Sequence, residues 1–190
     1  RYLSRKITGK EDDVLLLKQF MKGVNVYGSE LKVGGFSGYL TELLVLCYGS
    51  FVEVLQAASS WRPGKRLDLE GHGTEKHTEP LIVVDPVDPK RNVAAALTLD
   101  KMLQFAVAAR SFLAGPKLDF FFPRPLPPLS DEQLIAELEC RATMPILLEF
   151  AAPDVVEDVL YPQLRKAEGS IKALLERNGF CMLRSDVSTY

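Results

Sequence analysis

Apolar side chains recur along this chain in two rhythms, a helical one with neighbours three and four apart and short continuous runs bounded by turn residues. From Glu11 to Met21 the rhythm is helical: Val14, Leu17 and Met21 form a stripe, Glu11, Asp12 and Asp13 suit the positive end of the helix dipole, and Gly23 is a natural stop. Val24 to Val33 reads as an extended connection with Tyr27-Gly28 in its middle, followed by the glycine cluster Gly34-Gly35-Phe36-Ser37-Gly38. Tyr39 to Tyr48 is apolar on nearly every side, which predicts an all-round buried helix, and Gly49 ends it. Ser50-Phe51-Val52-Glu53 has the spacing of a capping box and predicts a second helix to about Ala58, the two forming a helical hairpin.

The next stretch, Trp61 to Pro80, is polar, and within it Leu67 and Leu69 alternate with charges as in an edge strand. Leu81 to Val84 is a continuous β-branched and aliphatic run, a buried strand that is expected to pair with the first as a hairpin. Two Asp-Pro turns, Asp85-Pro86 and Asp88-Pro89, stop it. Because each proline fixes its own φ and biases the residue before it away from helix, Asp85, Asp88, Lys90, Arg91 and Asn92 are expected on a stiff, surface-facing turn. Thr98-Leu99-Asp100 opens a long helix to about Leu113, with Leu99, Met102, Leu103, Ala106, Val107 and Arg110 at helical spacing.

Gly115 to Ser130 is rich in proline and reads as a domain boundary whose three phenylalanines wedge against a neighbouring surface. Beyond it, Ser130-Asp131 caps a short helix to about Glu139, Met144 to Phe150 reads as a strand, Tyr161-Pro162 opens a helix carrying Leu164, Ala167, Ile171 and Leu175, and Phe180 to Leu183 begins another strand. These elements predict an α+β fold. A helical central domain with a small β-hairpin occupies 1–114, a proline-rich linker 115–130, and the start of a β-α-β, RRM-like unit 131–190.

Composition narrows the class. The 190 residues are 47% hydrophobic and 25% charged, the balance of a globular protein, and the net charge of −2 carries no global basic signature, so any polyanion site must be local. Three cysteines, Cys47, Cys140 and Cys181, are odd in number and set in apolar runs, which predicts reduced thiols in a cytoplasmic core rather than disulfides. No run reaches the roughly 18–20 apolar residues of a membrane span. The chain opens on Arg1 without a methionine and stops at Tyr190 before the last unit closes, so it is expected to be part of a longer protein.

Few residues carry chemistry by themselves. Lys18 stands four after Val14 and three before Met21, on the apolar face, so its stem either snorkels to solvent or carries the ammonium into a cleft that holds an anion. The glycine cluster is neither a Walker loop nor a nucleophile elbow, but Ser37 is placed to cap a helix whose first amides attract phosphate. His72 and His77, five apart and without a cysteine partner, match no metal spacing. Arg165, Lys166 and Lys172 place positive charge on the last helix, a solvated face by default.

Four spaced blocks carry a resemblance: DDVLLLKQFMKGVNVYGSE (Asp12 to Glu30), GGFSGYLTELLVLCYGSF (Gly34 to Phe51), VVDPVDPKRNVAA (Val83 to Ala95) and LYPQL (Leu160 to Leu164). In order and spacing they resemble the archaeal-type (class I) CCA-adding enzymes, tRNA nucleotidyltransferases that restore the 3′ CCA end. The Lys-to-Tyr spacing and the glycine block also look like the central domains of poly(A) polymerases. The resemblance implies that Lys18 and Tyr27 hold the triphosphate of the incoming nucleotide, and that Arg91 helps read the base of CTP or ATP together with the tRNA backbone. Asp85, Asp88 and Asn92 match the block as residues that hold the turn. It implies Mg2+ in the full-length enzyme, held by carboxylates of a preceding head, so this chain is expected to contain no catalytic or metal-binding residue and to bind without catalysing. It implies the tRNA acceptor end, CTP and ATP as partners, no membrane, and a cytoplasmic parent acting alone or as a homodimer. A poly(A)-polymerase-like terminal transferase and a stand-alone RNA-binding module remain as alternatives.

Overall fold

The computed structural model describes residues 2–30, 32–125, 127–151 and 153–189, with the side chains at positions 4 and 5 left aside; Leu31 of the connection and Leu126 of the proline-rich stretch lie outside it. The chain forms two compact units, Arg1–Arg124 and Pro125–Tyr190. The α+β class stands.

The first unit is built on helices α1 (Tyr2–Lys6), α2 (Glu11–Gly23), α3 (Gly38–Tyr48), α4 (Phe51–Ala58) and α5 (Leu99–Ala114). α2 forms where the apolar stripe predicts it, and Val14, Leu17, Phe20 and Met21 are buried along it. Asp13 Oδ1 accepts from the Phe51 amide at 2.8 Å, tying the start of α2 to the start of α4. Ser37 caps α3, its hydroxyl accepting from the Leu40 amide at 3.1 Å, and Ser50 caps α4 through the Glu53 amide at 3.3 Å. Gly49 between them has φ +109, which a side chain would resist, and the two helix axes bend by 93°. The expected helical hairpin is therefore a corner. No single helix among the described residues is long and apolar enough to cross a membrane.

The core joins α2, α3, α4 and α5 through Phe20, Leu17, Met21, Leu43, Leu44, Val54, Leu55, Met102 and Phe105. On α5 the buried face is Met102, Phe105, Ala106, Ala108 and Ala109. Leu99, Leu103 and Val107 are exposed, so the buried stripe is rotated from the one expected, because the large Phe105 ring docks against Phe36 at 4.9 Å and Trp61 at 5.8 Å between centroids.

Strands β1 (Lys65–Leu67) and β2 (Leu81–Val83) pair in parallel, with Lys65 opposite Leu81 and Leu67 opposite Val83. This corrects the expected hairpin. A parallel pair needs a crossover, and residues 68–80 supply it: Asp68 gathers the amides of His72 and Gly73 at 3.3 and 2.9 Å, and the loop returns to Pro80, whose carbonyl accepts from Gly64 at 2.7 Å.

The segment after α5 belongs to the first unit. A short 3-10 helix (Leu118–Phe120) lays Phe120 and Phe121 on the Phe20, Phe51 and Phe112 rings, while Phe122 is 64% exposed. The chain approaches so closely that a Cβ at Gly23 would overlap the Phe120 carbonyl, which is why α2 ends on glycine.

The second unit contains α6 (Asp131–Cys140), opened by a full capping box between Ser130 and Gln133, and α7 (Glu157–Arg177). α7 starts before the expected Tyr161-Pro162 and carries Pro162 inside it. Residues 143–150 and 180–189 have no ladder pairing among the described residues, so the expected β-α-β arrangement is corrected: an apolar run becomes a strand only where a neighbouring edge accepts its hydrogen bonds. The cysteines also depart from expectation. Cys140 and Cys181 are exposed; Cys47 is part-buried, and desolvation pushes its thiol up to about 11.

Candidate nucleotide site

Lys18 leaves α2 among buried neighbours, yet its ammonium does not run out to bulk water. Nζ lies 2.8 Å from Glu42 Oε1 on the second turn of α3, with both side chains about three-quarters buried. Tyr27 reaches the same place from a different element. Residues 26–28 and 35–36 form an irregular ribbon in which the Gly28 amide donates to Phe36 O at 2.9 Å and the Phe36 amide to Val26 O at 2.8 Å. The ribbon can close only because position 35 has no side chain, since a Cβ there would overlap the Val26 carbonyl oxygen. Closure sets the Tyr27 ring beside α3, with Lys22 Nζ 5.4 Å from its centroid.

The two side chains meet at Gly38. A Cβ on that residue would stand 3.2 Å from Tyr27 Oη and 3.9 Å from Lys18 Nζ. Gly38 is the first residue of α3, where helix amides lack intrahelical acceptors; Ser37 takes the Leu40 amide, so the Gly38 and Tyr39 amides are the first-turn donors that this cap does not use. An ammonium, a phenol and two amides at the positive end of a helix dipole suit a phosphate oxygen.

Arg91 arrives from the Asp-Pro turn. Asp85 and Asp88 each fold the chain back as Asx turns, accepting from the Val87 amide at 2.9 Å and the Lys90 amide at 3.0 Å. Neither Asp85 nor Asn92 is displayed as the sequence suggests; both are buried. Asn92 sutures the turn to β2, its Oδ1 accepting from Val83 and Ala94 at 2.9 and 3.0 Å and its Nδ2 donating to Leu81 O at 3.1 Å. Arg91, between them in function, stays 61% exposed while Asp85 beneath it is 5% exposed, with 3.3 Å between guanidinium and carboxylate. Asp85 also accepts from Tyr39 Oη at 3.0 Å, and burial together with that hydrogen bond pushes the tyrosine hydroxyl up to about 12.

Arg91 opens onto a cleft of about 390 Å³, lined also by Ser29, Ser37, His77, Glu79 and Asn92. Lys18 and Tyr27 therefore meet at Gly38, and Arg91 faces the adjoining Ser37. The start of α3 links them: Ser37, its N-cap, lines the cleft with Arg91, while Lys18 and Tyr27 lie beside Gly38 and are not among the residues that line that cleft. Neither histidine enters a metal cluster: His72 Nε2 donates to the Asp85 carbonyl at 3.1 Å, and His77 Nδ1 lies 3.8 Å from Glu79. Among the described residues no group of three or more His, Cys, Asp or Glu side chains is placed to hold a metal ion.

Two residues of this arrangement escape a reading of the sequence. Glu42 is the one carboxylate in an otherwise apolar helix, a signal that was available; Tyr39 looks like ordinary core.

Residues 12–122 match the family described as tRNA nucleotidyltransferase, second domain, and residues 141–190 match CCA-adding enzyme, C-terminal domain. The chain belongs to the tRNA nucleotidyltransferase family, whose second domain it carries. It is 53% identical over 186 residues to a CCA-adding enzyme of Methanosarcina barkeri, covering 98% of this chain and 41% of that protein. It is 51% identical over 188 residues to that of Methanothermobacter thermautotrophicus, again 98% and 41%, and 44% identical over 185 residues to that of Archaeoglobus fulgidus, 97% and 42%. The chain thus spans about two-fifths of the length of these archaeal relatives. Membership in that family favours a tRNA nucleotidyltransferase over the poly(A)-polymerase-like alternative.

Proposed function

We propose that this chain is the nucleotide- and tRNA-binding portion of a CCA-adding enzyme, which adds C, C and A to the 3′ end of tRNA from CTP and ATP without a nucleic-acid template. The observation that carries the proposal is the meeting of Lys18 and Tyr27 at the first residue of α3, with Arg91 beside the preceding one. Lys18, Tyr27 and the Gly38 and Tyr39 amides bind the triphosphate. That part of the ligand is the same in CTP and ATP, so these groups set affinity and not choice. Arg91 reads the base. Its fixed donor fork can meet O2 and N3 of cytosine together but only N1 on the corresponding edge of adenine, so its loss weighs differently on the two, and its exposure leaves the outward edge of the fork open to a ligand. The tRNA end completes the pocket, and Mg2+ belongs to the full-length enzyme, where ligands other than the residues present here hold it.

The test separates the two roles. Arg91→Ala in the full-length enzyme is expected to lower the ratio of kcat/KM for CTP over ATP, on tRNA lacking its CCA end, by about 5- to 30-fold, about 1–2 kcal/mol, since only the part of the lost hydrogen bonding that differs between the two bases enters a ratio. An unchanged ratio would remove Arg91 from base reading.

A further inference from the structure

Base reading needs a guanidinium that is free to meet a ligand and yet points one way, and a 61% exposed arginine on a turn has no direction of its own. Around Arg91 the direction comes from one buried carboxylate. Asp85 Oδ2 faces the Arg91 Nη1 at 3.3 Å, while its Oδ1 accepts from Tyr39 Oη at 3.0 Å and from the Val87 amide at 2.9 Å. The Asp85 backbone is fixed as well, its amide donating to Arg91 O at 3.0 Å and its carbonyl accepting from His72 Nε2 at 3.1 Å. The carboxylate therefore has little freedom. Its two oxygens are divided, one held by α3 and the turn, the other left for the arginine. Tyr39 directly follows Gly38, where Lys18 and Tyr27 meet, so Asp85 is anchored to the same helical turn that is proposed to hold the triphosphate.

We propose that Asp85, braced by Tyr39, is a positioning residue that aims the Arg91 fork into the cleft and sets its distance from the first turn of α3. The inference rests on the proposed base-reading role of Arg91. It assigns Asp85 a part in nucleotide choice beyond shaping the Asp-Pro turn. Burial of Asp85 makes the pairing worth more than a surface ion pair, because the carboxylate has little water to fall back on. One nitrogen of the guanidinium faces Asp85 and the outward edge of the fork remains for the base.

The experiment uses the full-length enzyme and tRNA lacking its CCA end, with CTP and ATP as separate substrates. Asp85→Asn keeps an oxygen for Tyr39 and the Val87 amide but removes the charge that faces Arg91; Tyr39→Phe removes only the brace. Asp85→Asn is expected to lower the CTP-over-ATP ratio of kcat/KM by about 5- to 30-fold, like Arg91→Ala. Tyr39→Phe is expected to lower it by about 2- to 5-fold with the melting temperature unchanged. In the Arg91→Ala background, Asp85→Asn should add nothing, because no fork is left to aim. A purely structural aspartate would depress both substrates equally and leave the ratio alone. If Arg91→Ala lowers the ratio while Asp85→Asn and Tyr39→Phe do not, or if Asp85→Asn lowers it further without Arg91, the positioning role is overturned and base reading by Arg91 survives. If Arg91→Ala leaves the ratio unchanged, the base-reading assignment fails, and the positioning role with it.

Discussion

Replacing Phe20 by alanine is expected to destabilise the first unit by about 3–5 kcal/mol, the range for removing a fully buried phenylalanine. Phe20 is wholly inaccessible and its ring centroid lies 5.4–6.2 Å from those of Phe51, Phe105, Phe112, Phe120 and Phe121. Four of these pairs are edge-to-face, the geometry aromatic quadrupoles prefer. The ring therefore joins α2, α4 and α5 to the Leu118–Phe120 turn, and no neighbour can collapse into its place without leaving the others. Against a typical stability of about 5–15 kcal/mol the loss is a large fraction of the whole. Hydrogen exchange of the full-length protein checks it by region. Amides in α2, α5 and the segment around Phe120 should lose about 150- to 5,000-fold in protection together. Loss confined to residues 118–122, with α2 and α5 unchanged, would mean that the phenylalanine cluster is a satellite and not the centre of the core.

The second large effect is on the ligand. Lys18→Ala is expected to raise KM for CTP and for ATP by the same factor, about 10- to 150-fold, corresponding to about 1.5–3 kcal/mol for a charge-assisted hydrogen bond to phosphate. The factor is common because the triphosphate is common, and the CTP-over-ATP ratio should not move. Removing the ammonium also leaves Glu42 part-buried beside the proposed anion site without its 2.8 Å partner, so like-charge repulsion adds to the lost attraction. Initial rates at saturating tRNA check it. A rise in KM for one nucleotide only would place Lys18 near the base, and unchanged KM for both would return it to an ordinary surface lysine.

Lys18 also shows how much of the site could be read from sequence. A lysine on an apolar helical stripe is visible as a misfit, but whether it snorkels or enters a cleft depends on Glu42, 24 residues away, and on the bare backbone at Gly38. Helices α2 to α5, the Ser37 and Ser50 caps and the burial of Leu81 to Val84 follow from local periodicity and were legible, whereas the short α1 was not. The direction of β1 against β2 was not, because it depends on the path of residues 68–80 and not on either strand. The strands expected within 143–150 and 180–189 failed for a related reason: pairing belongs to the partner edge as much as to the run itself. The hub at Asp85 was hidden most deeply. Its tyrosine donor is 46 residues upstream, and only the folded α3 brings that hydroxyl to the Asp-Pro turn.

The central claim is that Lys18, Tyr27 and Arg91 gather around the first turn of α3 to hold one nucleoside triphosphate. A crystal structure of the full-length protein with CTP bound tests it most directly. The account predicts phosphate oxygens against Lys18 Nζ, Tyr27 Oη and the Gly38 amide, with the cytosine edge turned toward the Arg91 guanidinium. A triphosphate seated elsewhere, with α3's first turn bare and Arg91 still paired only to Asp85, would contradict it.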